Sequence, residues 1–275
     1  MLPTPPLPSI RRVHLTGIGG AGMSGLARLF LERGCEVQGT DPTLTPLTEQ
    51  LTALGVRIET AQDGALLNRS IDVVVATAAV KPDHPELARA DSLGIPVVKY
   101  AAALGMFVKE RVGVAIAGTH GKTTTSAMLA HILEEAGTRP SFLVGGLPND
   151  LGVGARYDPA GTAFVAEACE YDRSFLSLHP TLATITNIDA DHLDLYGDLD
   201  GVRQAFAAFA ATLPPEGLLV ANADDSTSLD VLRTASVAKL QTVGEDPAAD
   251  WQLQFRGSVA GRSVATLRTP DGVQV

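Results

Sequence analysis

Cysteine is scarce in this chain. Cys35 and Cys169 are the only two among 275 residues. That is too few for a disulfide framework, and a reducing cytoplasm is their simplest home. Long hydrophobic runs are also missing: stretches such as Val112 to Ala117 fall far short of the roughly 20 apolar residues a membrane span needs. The opening ten residues carry four prolines and no charged-then-apolar leader pattern, so they read as a loose tail. Positive charge is in deficit, with 21 Lys and Arg against 31 Asp and Glu and a net charge of −10. This balance disfavours a protein that wraps nucleic acid through its overall field. It leaves room for a small anion held by backbone amides and one lysine. Only five lysines occur, so one that stands among glycines is informative. Membrane protein, secreted scaffold and zinc ribbon are set aside together.

What is present is a globular composition, 45% hydrophobic and 19% charged, on a chain long enough for about two domains. Short apolar stretches at 12–16, 36–39, 71–76 and 95–98 read as strands. Amphipathic stretches at 23–33, 47–54 and 85–93 read as helices, the last two stopped by Gly55 and Gly94. A helical stretch at 101–110 leads to a strand at 112–117 and a helix at 122–136. Further strands are expected at 142–144, 163–166, 182–186 and 218–221, with a helix over 199–213 ended by Pro214-Pro215. Residues 251–275 alternate as antiparallel strands do, then stop after Gly272 with no closing element, so the chain reads as cut short. Strands alternating with helices predict an α/β fold with parallel sheets. The expected layout is a flexible tail at 1–10, a Rossmann-like domain at 11–107 and a truncated P-loop ATPase-like central domain at 108–275.

Two glycine loops carry the chemistry. Gly17-Ile18-Gly19-Gly20-Ala21-Gly22 fits G-x-G-x-x-G between a strand and a helix. Its glycines let the backbone approach a diphosphate, and the helix N-terminus offers amides to the charge. Asp41 follows the second strand, where a ribose-binding acid would stand. Taken alone, this half says dinucleotide binding, with tight strand–helix packing as the plain alternative. The second loop is Ala117-Gly118-Thr119-His120-Gly121-Lys122-Thr123-Thr124-Thr125. Its amides can cradle phosphates, Lys122 can reach the β- and γ-phosphates, and the Thr123 hydroxyl can ligate magnesium. The general P-loop pattern is not met literally, because Ile116 stands where it wants a glycine. The plain alternative makes Lys122 and the threonines an ordinary helix start.

The shortened loop Gly-Thr-His-Gly-Lys-Thr-Thr resembles that of the Mur ligases, ATP-dependent amino-acid ligases of peptidoglycan precursor synthesis. The resemblance spans nearly the whole chain after the tail. It runs through His14 to Ser24, Thr77 to Val80, Pro85-Glu86, Gly118 to Thr125, Glu167 to Phe175 and Thr186 to Asp194. Where the family often has Asn before Pro-Glu, this chain has His84, which is given no role. Within the family, the motifs are nearest to the branch that joins L-alanine to UDP-N-acetylmuramate.

The resemblance replaces the nicotinamide reading with a UDP-sugar. Gly17, Gly19, Gly20, Ala21, Gly22 and Met23 are expected near the diphosphate and Asp41 near the uridine. Thr77, Ala78, Ala79 and Val80 are expected to line the same pocket, and Arg156 to stand near the muramyl group. For ATP it implies Gly118, Thr119, His120 (through its backbone amide), Gly121, Lys122, Thr123, Thr124 and Asn187. Thr123, Glu167 and His192 are implied as magnesium ligands, and Lys122 and His192 as catalytic residues. Glu167 ends a strand where ligands gather in α/β folds; Glu170 is the nearby alternative. Cys169, between two acids, reads as a bystander, and His131 as structural.

The implied reaction uses ATP and magnesium to phosphorylate the lactyl carboxylate of UDP-N-acetylmuramate, and the amine of L-alanine then displaces phosphate. A cytoplasmic enzyme with no nucleic-acid or membrane partner is expected. Family members carry a further C-terminal domain that this chain does not reach, so residues 1–275 alone are expected to be weakly active or inactive. The rivals are a ligase attaching a murein tripeptide to the same sugar nucleotide, a non-catalytic sugar-nucleotide binder, and a nicotinamide-dependent dehydrogenase.

Overall fold

Strands whose residues are apolar on both faces must be covered on both faces, which parallel sheets flanked by helices achieve. Val73 to Ala76 is such a strand, buried at every position. In the computed structural model, which describes residues 3–235 and 239–275, the first elements follow this logic. They are β1 (Arg12–Thr16), α1 (Ala21–Glu32), β2 (Glu36–Thr40), α2 (Pro46–Ala53), β3 (Arg57–Glu59), β4 (Val73–Ala76), α3 (Pro85–Leu93), β5 (Val97–Lys99) and α4 (Tyr100–Lys109). Then come β6 (Val112–Ala117), α5 (Lys122–Glu135), β7 (Ser141–Leu143), β8 (Ala155–Arg156), β9 (Ala163–Glu167), β10 (Leu182–Ile185), α6 (Leu193–Tyr196) and α7 (Leu199–Ala210). The chain continues through β11 (Leu218–Asn222), α8 (Ser226–Thr234), β12 (Leu240–Gly244), β13 (Trp251–Val259) and β14 (Arg262–Arg268). Among the described residues no helix is long and apolar enough to cross a membrane.

Several helix starts are written in the side chains. Thr45 and Thr48 form a capping box ahead of Pro46. His84 caps α3, Asp198 caps α7 and Asp225 caps α8, each accepting a backbone N–H from the first turn. The chain packs into two compact units. One comprises residues up to Val112 together with Thr123–Glu167; the other comprises Gly113–Lys122 with Ala168–Val275.

In the first unit a five-stranded sheet runs β3-β2-β1-β4-β5, parallel throughout. Its order reverses between β1 and β4, and in open parallel sheets ligands bind outside the strand ends at that reversal. One core cluster gathers Leu67, Ile71, Val74, Ala90 and Ile95. Phe30 of α1 meets Phe107 of α4 edge-on, with ring centroids 5.0 Å apart. In the same unit β7 pairs parallel with β9 and antiparallel with β8. The α5 helix lays Ala130 against Phe142, Val144 and Val165.

The second unit is a ladder in the order β14-β13-β12-β11-β10-β6. It is parallel from β6 to β13 and ends in the antiparallel β13–β14 hairpin. Phe175 stacks on Phe209 at 4.8 Å and meets Phe206 edge-on at 5.4 Å.

Three differences from the sequence expectation have physical causes. The first helix opens at Ala21 rather than Met23, because extended Gly20 is its cap. The α7 helix stops at Ala210, and the Thr212 hydroxyl closes onto the Phe209 carbonyl at 2.7 Å before the prolines begin. The third is that β3, α8 and β12 carry no expectation at all, nor do the short β8 and α6. The first is a three-residue strand with Arg57 and Glu59 exposed, α8 is rich in Ser and Thr, and β12 is only partly buried.

Candidate nucleotide and metal sites

Gly17 leaves β1 with φ +79°, and a Cβ there would lie 2.7 Å from Thr77 Cγ2, so the chain needs glycine at this turn. The turn, together with the segment after β4, encloses a cavity of about 610 Å³ at the strand-order reversal. Of the residues expected around the sugar nucleotide, Gly17, Gly20, Asp41, Thr77, Ala79 and Val80 line it. Asp41 Oδ2 accepts the Gly19 N–H at 2.8 Å and thereby shapes the loop.

Gly19 and Ala21 are not among the lining residues, and four further expected residues stand elsewhere. A Cβ on Gly22 would lie 2.9 Å from the Tyr100 ring, so this glycine serves helix packing. Met23 is buried in the core. Ala78 is exposed in the turn closed by Val80 N–H on Thr77 O. Arg156 does not line the cavity: its guanidinium pairs with Glu134 and lies over the Phe142 ring at 5.0 Å. Ala21 opens α1, where the first amides of a helix lack intrahelical acceptors. Sequence reasoning missed Pro42, Gln62, Lys81, Asp83 and His84, which also line the cavity. Lys81 had a signal, as one of five lysines and close behind a strand end; Gln62 had none.

Also in the first unit, Thr123 stands in the first turn of α5 and its hydroxyl lies 3.0 and 2.9 Å from the two Glu167 oxygens. Glu167 Oε2 also accepts the Gly145 N–H at 2.7 Å, and a Cβ on Gly145 would run into that carboxylate. The result is a compact cradle of hard oxygen donors. It suits magnesium, which takes one or two protein oxygens and completes its shell with water and phosphate. Among the described residues no group of three or more His, Cys, Asp and Glu could hold a metal by itself.

In the second unit the lysine loop is clamped by the segment after β10. Gly118 has φ +136°, and a Cβ there would overlap the Thr186 hydroxyl. Asn187 holds both sides of His120, accepting its N–H at 2.9 Å and donating to its carbonyl at 3.0 Å. The Thr119 N–H bonds Asn187 O at 3.0 Å. This corrects the expectation for His120: its amide is spent on Asn187, because that side chain fits both backbone groups at once. Thr124 is exposed on α5, and Gly121 turns the loop with φ +83°.

Lys122 Nζ ends on Gly118 O at 2.7 Å, Thr119 O at 3.0 Å and the Glu170 carboxylate at 2.9 Å. The two acids that the sequence left as alternatives are thus divided: Glu167 holds Thr123 and Glu170 holds Lys122. His192, left-handed at φ 52°, caps α6 and has Nε2 3.9 Å from Glu170. Its ring meets Tyr171 edge-on at 5.4 Å. The Tyr196 hydroxyl donates to the Glu170 carbonyl. Burial, reinforced by the Glu170 charge, pushes the Tyr196 phenol upward, so it remains a donor.

Comparison with known proteins decides the family. Residues 116–273 match the Mur ligase middle domain, and residues 12–112 match the Mur ligase family catalytic domain. The chain belongs to the Mur ligase family. A UDP-N-acetylmuramate–L-alanine ligase of Sorangium cellulosum is 44% identical over 251 residues, covering 90% of this chain and 53% of the relative. A crystal structure of UDP-N-acetylmuramate:L-alanyl-γ-D-glutamyl-meso-diaminopimelate ligase from Neisseria meningitides superposes with a TM-score of 0.84 at 32% identity, covering 96% of this chain and 86% of that one. The UDP-N-acetylmuramate–alanine ligase of Thermotoga maritima superposes with a TM-score of 0.78 at 28% identity, covering 96% of this chain and 60% of that one. The chain spans about half the length of the curated Mur ligases it matches.

Proposed function

We propose that this chain supplies the sugar-nucleotide and ATP sites of an ATP-dependent ligase that joins L-alanine to UDP-N-acetylmuramate in peptidoglycan precursor synthesis. The observation that carries the reading is the Thr123–Glu167–Gly145 cradle, whose Thr123 follows Lys122 in sequence, in a chain 44% identical to such a ligase. The diphosphate lies at the Gly17–Gly20 turn, with Asp41, Thr77 and Ala79 along the same cavity. The ATP phosphates lie against Gly118, Gly121 and Lys122, whose ammonium exchanges the Glu170 carboxylate for phosphate oxygen. Thr123 and Glu167 hold magnesium, whose charge offsets that of the phosphates.

In the proposed reaction a lactyl carboxylate oxygen attacks the γ-phosphorus and ADP departs. The alanine nitrogen then attacks the acyl carbon, inorganic phosphate leaves, and the nitrogen loses a proton. Protein groups contribute positioning and charge compensation. His192, beside Glu170, is assigned to aligning the acceptor carboxylate, and Asn187 to holding the loop.

A second reading has its own observation. The superposition on the murein tripeptide ligase has a TM-score of 0.84, and that enzyme acts on the same sugar nucleotide. The 44% identity to alanine ligases favours L-alanine. Calorimetry on residues 1–275 should show binding of UDP-N-acetylmuramate and of ATP with magnesium; failure to bind either overturns the proposal. Because the ligase relatives are about twice as long, the 275 residues alone are expected to bind without ligating at full rate. With a ligase C-terminal domain supplied by a relative, ADP release dependent on L-alanine rather than on the tripeptide selects between the two ligase readings.

A further inference from the structure

A chain of polar groups, buried at His14, Glu86 and Thr40, runs from β2 of the first unit to the wall of its cavity. Gln38 on β2 donates from Nε2 to Leu66 O at 2.9 Å and meets His14 Nδ1 at 3.3 Å. A carbonyl can only accept, so the amide nitrogen of Gln38 is fixed on this side and His14 Nδ1 is the acceptor. The ring proton therefore sits on His14 Nε2, which lies 3.1 Å from Glu86 Oε1. Both side chains are fully buried. The other Glu86 oxygen accepts the Thr40 hydroxyl at 2.9 Å. Gln62 Nε2 lies 3.2 Å from Thr40 Oγ1, and Gln62 lines the cavity.

The order of donors in this chain has one solution. An ionised carboxylate accepts and never donates. Burial alone would raise the Glu86 pKa, but the His14 imidazole and the Thr16 and Thr40 hydroxyls beside it outweigh that and the net direction is downward, so the group stays ionised. Thr40 must then give its single proton to Glu86, and its oxygen can only accept from Gln62. A free glutamine exchanges the ends of its carboxamide at little cost; this one has its nitrogen fixed on Thr40. The second Nε2 proton and Oε1 remain for another partner.

We propose that the buried Glu86–Thr40 pair holds the Gln62 carboxamide in one orientation, so that the cavity offers a donor–acceptor edge matched to the imide of uracil and mismatched to cytosine. The inference deepens the proposed sugar-nucleotide reading of this cavity and rests on it. Uracil presents an N–H beside a carbonyl, and a carboxamide pairs with both. Cytosine presents the reversed order and would need the amide turned over, which would set Gln62 Oε1 against a Thr40 oxygen with no proton to share. Gln62 is the specificity residue, and Glu86 and Thr40 are its positioning residues.

The test is competitive calorimetry with UDP and CDP on the 275-residue chain, with ATP–magnesium binding as the control for folding. The unsubstituted chain should prefer UDP by about tenfold or more, as expected for one bidentate polar pair. Thr40→Val removes the relay and should bring the UDP:CDP ratio close to one, while Thr40→Ser should restore it. Glu86→Gln, which can donate as well as accept, should also lower the ratio. Should Glu86→Gln fail the folding control, the two Thr40 variants decide. An unchanged ratio in Thr40→Val, or equal binding of UDP and CDP by the unsubstituted chain, overturns the inference. Absence of any UDP binding overturns the sugar-nucleotide reading itself.

Discussion

Lys122 and Thr123 are neighbours in sequence, yet their side chains are bound to different acids. Glu170 neutralises the ammonium and Glu167 accepts the hydroxyl. This division makes substitutions at the two glutamates separable. Glu167→Gln should abolish the magnesium dependence of ATP binding, so that a chelator weakens binding to the unsubstituted chain and leaves the variant unaffected. Glu170→Gln should keep the magnesium dependence. Isothermal titration with and without the metal reads both outcomes. On the proposed ligase reading, Lys122→Ala should lower kcat by about a hundredfold or more, the scale expected when one charge-stabilising donor is removed. The KM for UDP-N-acetylmuramate should hold.

At the scale of elements, the lysine loop is shaped as much by the segment after β10 as by its own glycines. Asn187 bonds both backbone groups of His120, and the Asp189 N–H bonds the Thr119 hydroxyl at 2.9 Å. Asn187→Ala should therefore cost about 1–2 kcal/mol by denaturant unfolding, for two lost hydrogen bonds, and should speed amide hydrogen exchange at His120. Gly118→Ala should be worse, because a left-handed φ and the Thr186 hydroxyl both oppose a Cβ. A fall in Tm of several degrees, as follows from a loss of about 2 kcal/mol, would verify it.

Elements were legible in the sequence where apolar periodicity and punctuation agreed. The strand Val112–Ala117 and the helix Pro85–Leu93 have the limits read from residue pattern alone. The alternation of Trp251, Leu253 and Phe255 is the β13–β14 hairpin. Elements such as β3 and β12 were not legible, since strands partly open to water need no apolar signature.

At the scale of the whole molecule, the Glu86–His14 pair joins β1 to α3 inside the first unit, and its charge sets an acid limit on stability. The folded-state pKa of Glu86 lies below that of an unfolded glutamate, which is about 4.3. Its contribution is therefore complete above that value and is lost as pH falls through the lowered one. The stability difference between the unsubstituted chain and Glu86→Gln should shrink as pH is taken from about 5 to about 3. A difference that stays constant over that range would refute the assignment. Thermal unfolding at fixed ionic strength measures it.

The order of motifs along the chain determined family, fold class and the two glycine loops, because a strand, a glycine turn and a helix start are local events encoded by consecutive residues. Which acid serves which partner was decided only by the tertiary structure. Glu167 and Glu170 lie three residues apart, and no local rule says that one closes on Thr123 and the other on Lys122. The same holds for the path from His14 through Glu86 and Thr40 to Gln62. Its members come from β1, α3, β2 and a loop, and hydrogen-bond polarity passes along it only when folding has excluded water from between them.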